Sequence, residues 1–183
     1  TPRSSSAASD VYKRQEGVPS VPEGSSGITL NSYTLRPKAR GTVKLRSTNP
    51  LDAPLVDPNY LGHPEDLKTS AEGVKLSVEM FNQKSLKKYI KKIRFPDAEV
   101  KTQSDFENYA RQYGRTSYHP TCTCKMGIDE MSVVDPKLRV RGIDSLRVCD
   151  SSVMPSLVGS NTNAPTIMTV SYTHLRAHET KRN

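Results

Sequence analysis

The stretch TSYHPTCTCKMG, residues 116–127, sets one histidine, His119, just ahead of Cys122 and Cys124. Three chemistries fit these side chains: a metal ligand set, a proton acceptor near neutral pH, or a core imidazole satisfied by a backbone carbonyl. Zinc would need four ligands, for which His119, Cys122, Cys124 and the distant Cys149 are the candidates. Adjacent zinc ligands normally follow C-x₂₋₄-C spacing, and C-x-C does not offer that geometry. Two further clusters can do chemistry. LRVCDSS, residues 146–152, is an apolar run ending on Asp150, Ser151 and Ser152. Sheets commonly present polar groups to a ligand at such an end, and Asp and Ser equally favour a cap or turn. In SNTNAPTIM, residues 160–168, Asn161 or Asn163 can cap a helix whose first turn holds Pro165. Free N–H groups and the positive end of the helix dipole would then attract an anion.

The elements that must position these groups read as a mixture of helix and strand. ITLNSYTLRP (28–37) and GTVKLRS (41–47) flank the turn-prone KARG and suggest a hairpin. Residues 49–66 hold four prolines, which forbid helix or central strand there, while their apolar side chains favour an ordered extended connection. Pro64 suits the first position of a helix, and Leu67, Ala71, Val74, Val78 and Phe81 then form an apolar stripe. Ser104 with Glu107 is a capping box ahead of Phe106, Tyr109, Ala110 and Tyr113, and Gly114 is placed to stop that helix. From His119 to residue 160 the chain reads as short and β-like.

Composition narrows the function classes. The 183 residues suffice for one domain with a core, but a hydrophobic fraction of 34% implies that some of the chain is not core. No run approaches the ~20 apolar residues of a membrane helix, and the N-terminus lacks the apolar stretch of a secretory signal. Three cysteines argue against a disulfide framework and for a reducing, cytoplasmic compartment. Half of the +8 net charge lies at the two ends. The densest internal basic run, KSLKKYIKKIR (84–94), interleaves only Tyr89, too little for a nucleic-acid stacking platform, and reads as a solvated helical face. The ends SSAASDVYKRQ and VSYTHLRAHET look like adaptor-derived sequence, with true disordered tails as the alternative. Residues 1–15 and 171–183 are therefore set aside as tails, and the helix after TIMTV is expected to be cut short.

Taken together, YHPxxTCxMG, VVDPxLRVxGIxxLRVxDSSVMP and GSNTNAPTIM, in this order, closely resemble the C-terminal part of glucose-methanol-choline (GMC) oxidoreductases, flavoprotein alcohol oxidases and dehydrogenases. The resemblance covers residues 40–170, and its flavour is that of choline dehydrogenase and related bacterial alcohol dehydrogenases. It implies an α+β fold: an antiparallel sheet backed by helices as the substrate-binding domain over 16–140, and a return segment to the FAD-binding domain over 141–170. It also implies FAD as cofactor and a small-molecule primary alcohol, choline-like in kind, as substrate.

Position by position, His119 matches the active-site histidine that acts on the substrate hydroxyl, and Asn163 matches a second active-site position that is His or Asn in the family. Asp150 and Ser151 match the strand end that approaches the flavin, and Ala164, Pro165 and Thr166 match the turn beside its ring. The family usually has Gly where this chain has Cys122, a side chain that could crowd the loop. The chemistry suits these types: an imidazole with an ordinary pKa of about 6.5 accepts the hydroxyl proton, and a carboxamide donor at the developing alkoxide is worth about 3 kcal/mol. No GxGxxG occurs in the chain, so the pyrophosphate-gripping turn is missing. The chain is thus expected to be a truncated fragment, inactive alone, with a non-catalytic binding module or a Cys/His zinc-binding domain as the alternatives.

Overall fold

The architecture comes from a computed structural model that describes residues 26–179, with side chains as far as residue 172. The fold is α+β. In chain order the elements are β1 (Thr42–Lys44), β2 (Leu55–Asp57), α1 (Pro64–Phe81), the single turn α2 (Lys84–Lys87), α3 (Gln103–Tyr113), a 3₁₀ turn (Ser151–Val153) and α4 (Asn163–Glu179). They belong to two compact units that interleave along the sequence. One comprises Leu67–Arg115 with the described residues up to Tyr33, and the other comprises Thr34–Asp66 with the residues from Thr116 on. The first fifteen residues, expected to be a tail, lie outside the described residues.

The hairpin expected around KARG does not form. β1 instead pairs antiparallel with β2, Thr42 opposite Asp57 and Lys44 opposite Leu55, inside the proline-rich connection. The reason lies in the backbone donors. The Lys38 N–H bonds both Asp66 carboxylate oxygens at 2.8 and 3.0 Å, and the Ala39 N–H bonds Asp66 Oδ2 at 2.8 Å. With those donors committed, residues 38–39 cannot supply the turn. Pro54 and Pro58 bracket β2 and confine it to three residues of an edge strand. Gly41 permits the approach to β2, because a Cβ there would lie 2.1 Å from the Asp57 carbonyl oxygen.

α1 starts at Pro64 as expected, with Glu65 and Asp66 in its first turn, where negative charge complements the helix dipole. The His63 Nδ1 accepts the Glu65 N–H at 3.2 Å, so this histidine serves as a helix cap. Leu67 and Ala71 are buried, whereas Val74, Val78 and Phe81 are half-buried, so the stripe weakens along the helix. The capping box of α3 lies two residues earlier than expected, at Thr102 and Asp105 rather than Ser104 and Glu107. Both pairs satisfy the i, i+3 rule, but the Asp105 carboxylate also takes the Lys101 N–H at 3.1 Å, which fixes the entry of the chain. Gly114 ends α3 as its C-cap, and Phe106 and Ala110 are its buried residues. The basic run forms only the one-turn α2, none of whose residues is buried.

The second unit is centred on Val134, Leu138 and Val153, all buried, with Met126, Val140 and Val148 packed around them. The β-like stretches predicted here are reduced to isolated bridges: Met126 to Val134, Val134 to Val140 and Arg139 to Arg147. Left-handed backbone at Leu138, Gly142 and Ser145 turns the chain every few residues and interrupts any longer ladder. Asp135 anchors the first of these turns, accepting the Lys137 and Arg139 N–H groups at 2.8 and 3.0 Å. Its carboxyl is held at about 2, chiefly by the hydrogen bond from the Arg139 side chain.

At the C-terminal end the expected truncation is not found: α4 runs on through Glu179. Residues 171–179 contain no glycine or proline and include Leu175, Arg176 and Ala177, which are good helix formers, so propagation continues through them.

Candidate active site

The loop of residues 116–127 is fastened mainly through its backbone. Alternate N–H groups donate to the 3₁₀ turn: Cys122 to the Ser151 carbonyl at 3.5 Å, Cys124 to Ser152 at 3.0 Å and Met126 to Val153 at 2.8 Å. Because Val153 is wholly buried in the core, the turn is a fixed rail for the loop. The Ser151 hydroxyl adds a bond to the Pro120 carbonyl at 3.3 Å, and the Tyr60 hydroxyl holds Thr116 Oγ1 at 2.9 Å. Asp150 turns out to be the cap of the 3₁₀ turn, its Oδ1 accepting the Ser152 N–H at 2.7 Å. Of the two readings left open for Asp150, the local geometry is that of a cap.

Suspended on this rail, His119 is half-buried, and its Nδ1 lies 2.8 Å from Thr162 Oγ1. Thr162 is itself buried and immediately precedes α4. The structure therefore brings His119 to the residue adjoining Asn163 across a gap of 43 positions. Asn163 opens α4, is exposed, and its carboxamide has no partner among the described residues. Of the residues expected to meet a flavin ring, Ala164, Pro165 and Thr166 form the first turn. The Thr166 N–H is already spent on the Thr162 carbonyl at 3.0 Å, and proline has none. Only the Asn163 and Ala164 N–H groups remain open at this end among the described residues. Two surface depressions of this unit lie elsewhere, one around Arg36, Lys38, Arg40 and Leu157 and the other around Arg139, Arg141 and Asp144, and neither His119 nor Asn163 lines them.

Backbone conformation on either side of His119 is unusual. Tyr118 has φ +59° and Cys122 has φ +74°, both in the left-handed region. The second value is one that only glycine takes freely, which fits the glycine that the resemblance leads one to expect at this position. Left-handed backbone costs an L side chain about 1–2 kcal/mol, and glycine returns about 0.4–1 kcal/mol of that through unfolded-chain entropy. Cys122→Gly is accordingly expected to stabilise the chain by about 0.5–1 kcal/mol. A urea midpoint that falls on substitution would show that the thiol contact with Thr121 Oγ1, at 3.0 Å, outweighs the strain.

The zinc arrangement does not form. Among the described residues no three His, Cys, Asp or Glu side chains gather as a metal site, and none of the three cysteines is in a disulfide. Cys149 Sγ faces the Thr169 carbonyl at 3.9 Å. Sequence reasoning missed Thr162. Its signal was available in the spacing, as a threonine at a helix entrance whose third helical residue is a proline.

A family model described as GMC oxidoreductase matches residues 37–169. The chain is 48% identical over 142 residues to alcohol dehydrogenase [acceptor] of Pseudomonas putida, covering 78% of this chain and 26% of the relative. It is 40% identical over 150 residues to mitochondrial choline dehydrogenase of Homo sapiens, covering 81% and 25%. Among solved structures, an FAD-dependent oxidoreductase from Chaetomium thermophilum superposes with a TM-score of 0.75 at 28% identity, over 81% of this chain and 26% of that one. The chain thus spans about a quarter of the length of the curated relatives it matches. With the family model covering most of the described residues, and the His119 loop and the entrance of α4 inside the matched region, the chain belongs to the GMC oxidoreductase family.

Proposed function

We propose that this chain forms the alcohol-facing part of an FAD-dependent oxidoreductase that acts on CH–OH groups and converts a primary alcohol, choline-like in kind, to its aldehyde. The observation that carries the reading is the contact of His119 with Thr162 beside the open carboxamide of Asn163. His119, seated through Nδ1, has Nε2 left to take the hydroxyl proton of a substrate. The Asn163 amide group donates to the oxygen as negative charge develops on it, an effect worth about 3 kcal/mol where the donor is preorganised. FAD, when bound, supplies the hydride acceptor.

The residues present suit an electron-rich cofactor edge, because the open N–H groups of Asn163 and Ala164 lie at the positive end of a 17-residue helix. Ser151 belongs to the same cluster through its bond to the Pro120 carbonyl, and Asp150 through capping the turn that carries Ser151. By the resemblance, residues 16–140 serve substrate binding and 141–170 return toward the flavin domain. An odd count of three cysteines supports a reducing compartment such as the cytoplasm. No helix among the described residues is long and apolar enough to cross a membrane.

The test is anaerobic mixing of the complete protein with a panel of primary alcohols, choline included, following the loss of oxidised-flavin absorbance. Bleaching by a primary alcohol is the expected result, and an unreactive flavin across the panel rejects the reading. The 183-residue chain alone should bind FAD more weakly than about 1 μM, because it lacks a glycine-rich pyrophosphate turn. Fluorescence titration giving tighter binding would show that ring-side contacts suffice.

A further inference from the structure

The structure assigns Thr162 as the positioning residue of His119, an inference that rests on the proposed role of this histidine. Thr162 occupies the cap position of α4: its carbonyl accepts the first intrahelical bond, from the Thr166 N–H at 3.0 Å. A threonine there normally turns its hydroxyl onto the N–H of the second or third helical residue. The third is Pro165, which has no N–H, and Ala164 at the second makes no bond to the hydroxyl among the described residues. The side chain of Thr162 is thereby released from capping and reaches His119 Nδ1 at 2.8 Å instead.

Two consequences follow for the ring. With Nδ1 occupied, Nε2 is the nitrogen left to meet a ligand. A hydroxyl, moreover, can donate to a bare nitrogen or accept from a protonated one, whereas a carbonyl can only accept. Thr162 can therefore keep hold of the imidazole while the ring gains and loses a proton. The left-handed residues Tyr118 and Cys122 fix the backbone on both sides of the seat, so the ring is constrained from the main chain and from its far nitrogen together.

Imidazole-nitrogen NMR of the 183-residue chain tests the assignment. Wild-type His119 should show a tautomer ratio displaced from that of a solvated histidine and a cross-peak to the Thr162 side chain. A tautomer ratio like that of a solvated histidine, without the cross-peak, overturns the proposal even if no variant folds. Thr162→Val, similar in shape but without the hydroxyl, should change the His119 tautomer ratio about threefold or more while His63 signals stay in place. Thr162→Ser, which retains the hydroxyl, should restore it. An unchanged His119 spectrum in the valine variant also overturns the proposal. In the complete enzyme Thr162→Val should lower kcat about tenfold with little change in KM, as expected when a reacting group loses its orientation. If the spectrum moves and kcat does not, the seat stands and the catalytic role of His119 falls.

Discussion

Replacing His119 with alanine in the complete oxidoreductase should slow alcohol-driven bleaching of the flavin by about 10²-fold or more, with FAD still bound at full occupancy. The magnitude follows from what is removed, a positioned proton acceptor, since general-base contributions run from about 10² to 10⁴. Retention of the cofactor follows from geometry. The histidine loop is hung on the 3₁₀ turn by the N–H groups of Cys122, Cys124 and Met126, none of which the substitution touches. Stopped-flow reduction at the parent rate would remove His119 from proton transfer and favour a non-catalytic binding role for this part of the chain. Loss of FAD together with activity would mean that the imidazole props up the flavin side, and would leave the base to be found elsewhere.

Asp66→Ala should cost about 3 kcal/mol of stability, the largest effect expected from a single change outside the core. The carboxylate is nearly inaccessible, at 3% exposure, and is the sole acceptor of two backbone N–H groups in the segment that leads into β1. Each donor left without a partner carries a desolvation penalty of about 1–3 kcal/mol. Asp66→Asn should retain part of the stability, because one oxygen survives as an acceptor while the other becomes an amide donor facing Lys38 or Ala39. Urea denaturation of the two variants reads the difference. Equal midpoints for alanine, asparagine and parent would mean that water satisfies the two N–H groups and that the carboxylate does not set the path of the chain.

The same carboxylate marks where the fold ceased to be legible in the sequence. α1 could be read because its determinants are local: Pro64 at the entrance and apolar side chains at helical spacing. The pairing of β1 could not, because it is decided by Asp66 capturing backbone donors 27 and 28 positions away. An alternating apolar pattern at residues 28–37 carries no trace of that capture. The α3 capping box was found in kind and misplaced by two residues, since Thr102–Asp105 and Ser104–Glu107 both meet the spacing and only the additional Lys101 bond separates them. The candidate site divides in the same way. His119 and Asn163 are legible as residue types in their motifs, and the structure brings the histidine to the neighbour of the asparagine. For Thr162 the local pattern goes only halfway: Pro165 at the third helical position leaves the hydroxyl without that capping partner, but nothing local says that it reaches an imidazole 43 positions away. Cys122 stands in its motif where the resemblance leads one to expect glycine, but the left-handed φ that favours glycine there is a property of the folded loop.

The rail beneath the histidine loop has a bearing on how such enzymes diversify. Its rungs are amides and carbonyls, so the side chains of residues 121, 123 and 125 are spectators to the attachment and can drift, acquire bulk or change polarity while the imidazole keeps its address. Substitutions at these positions can thus alter the surface of the loop while the backbone bonds to the 3₁₀ turn stay in place. That freedom lapses at Tyr118 and Cys122, whose left-handed main chain favours glycine over other replacements.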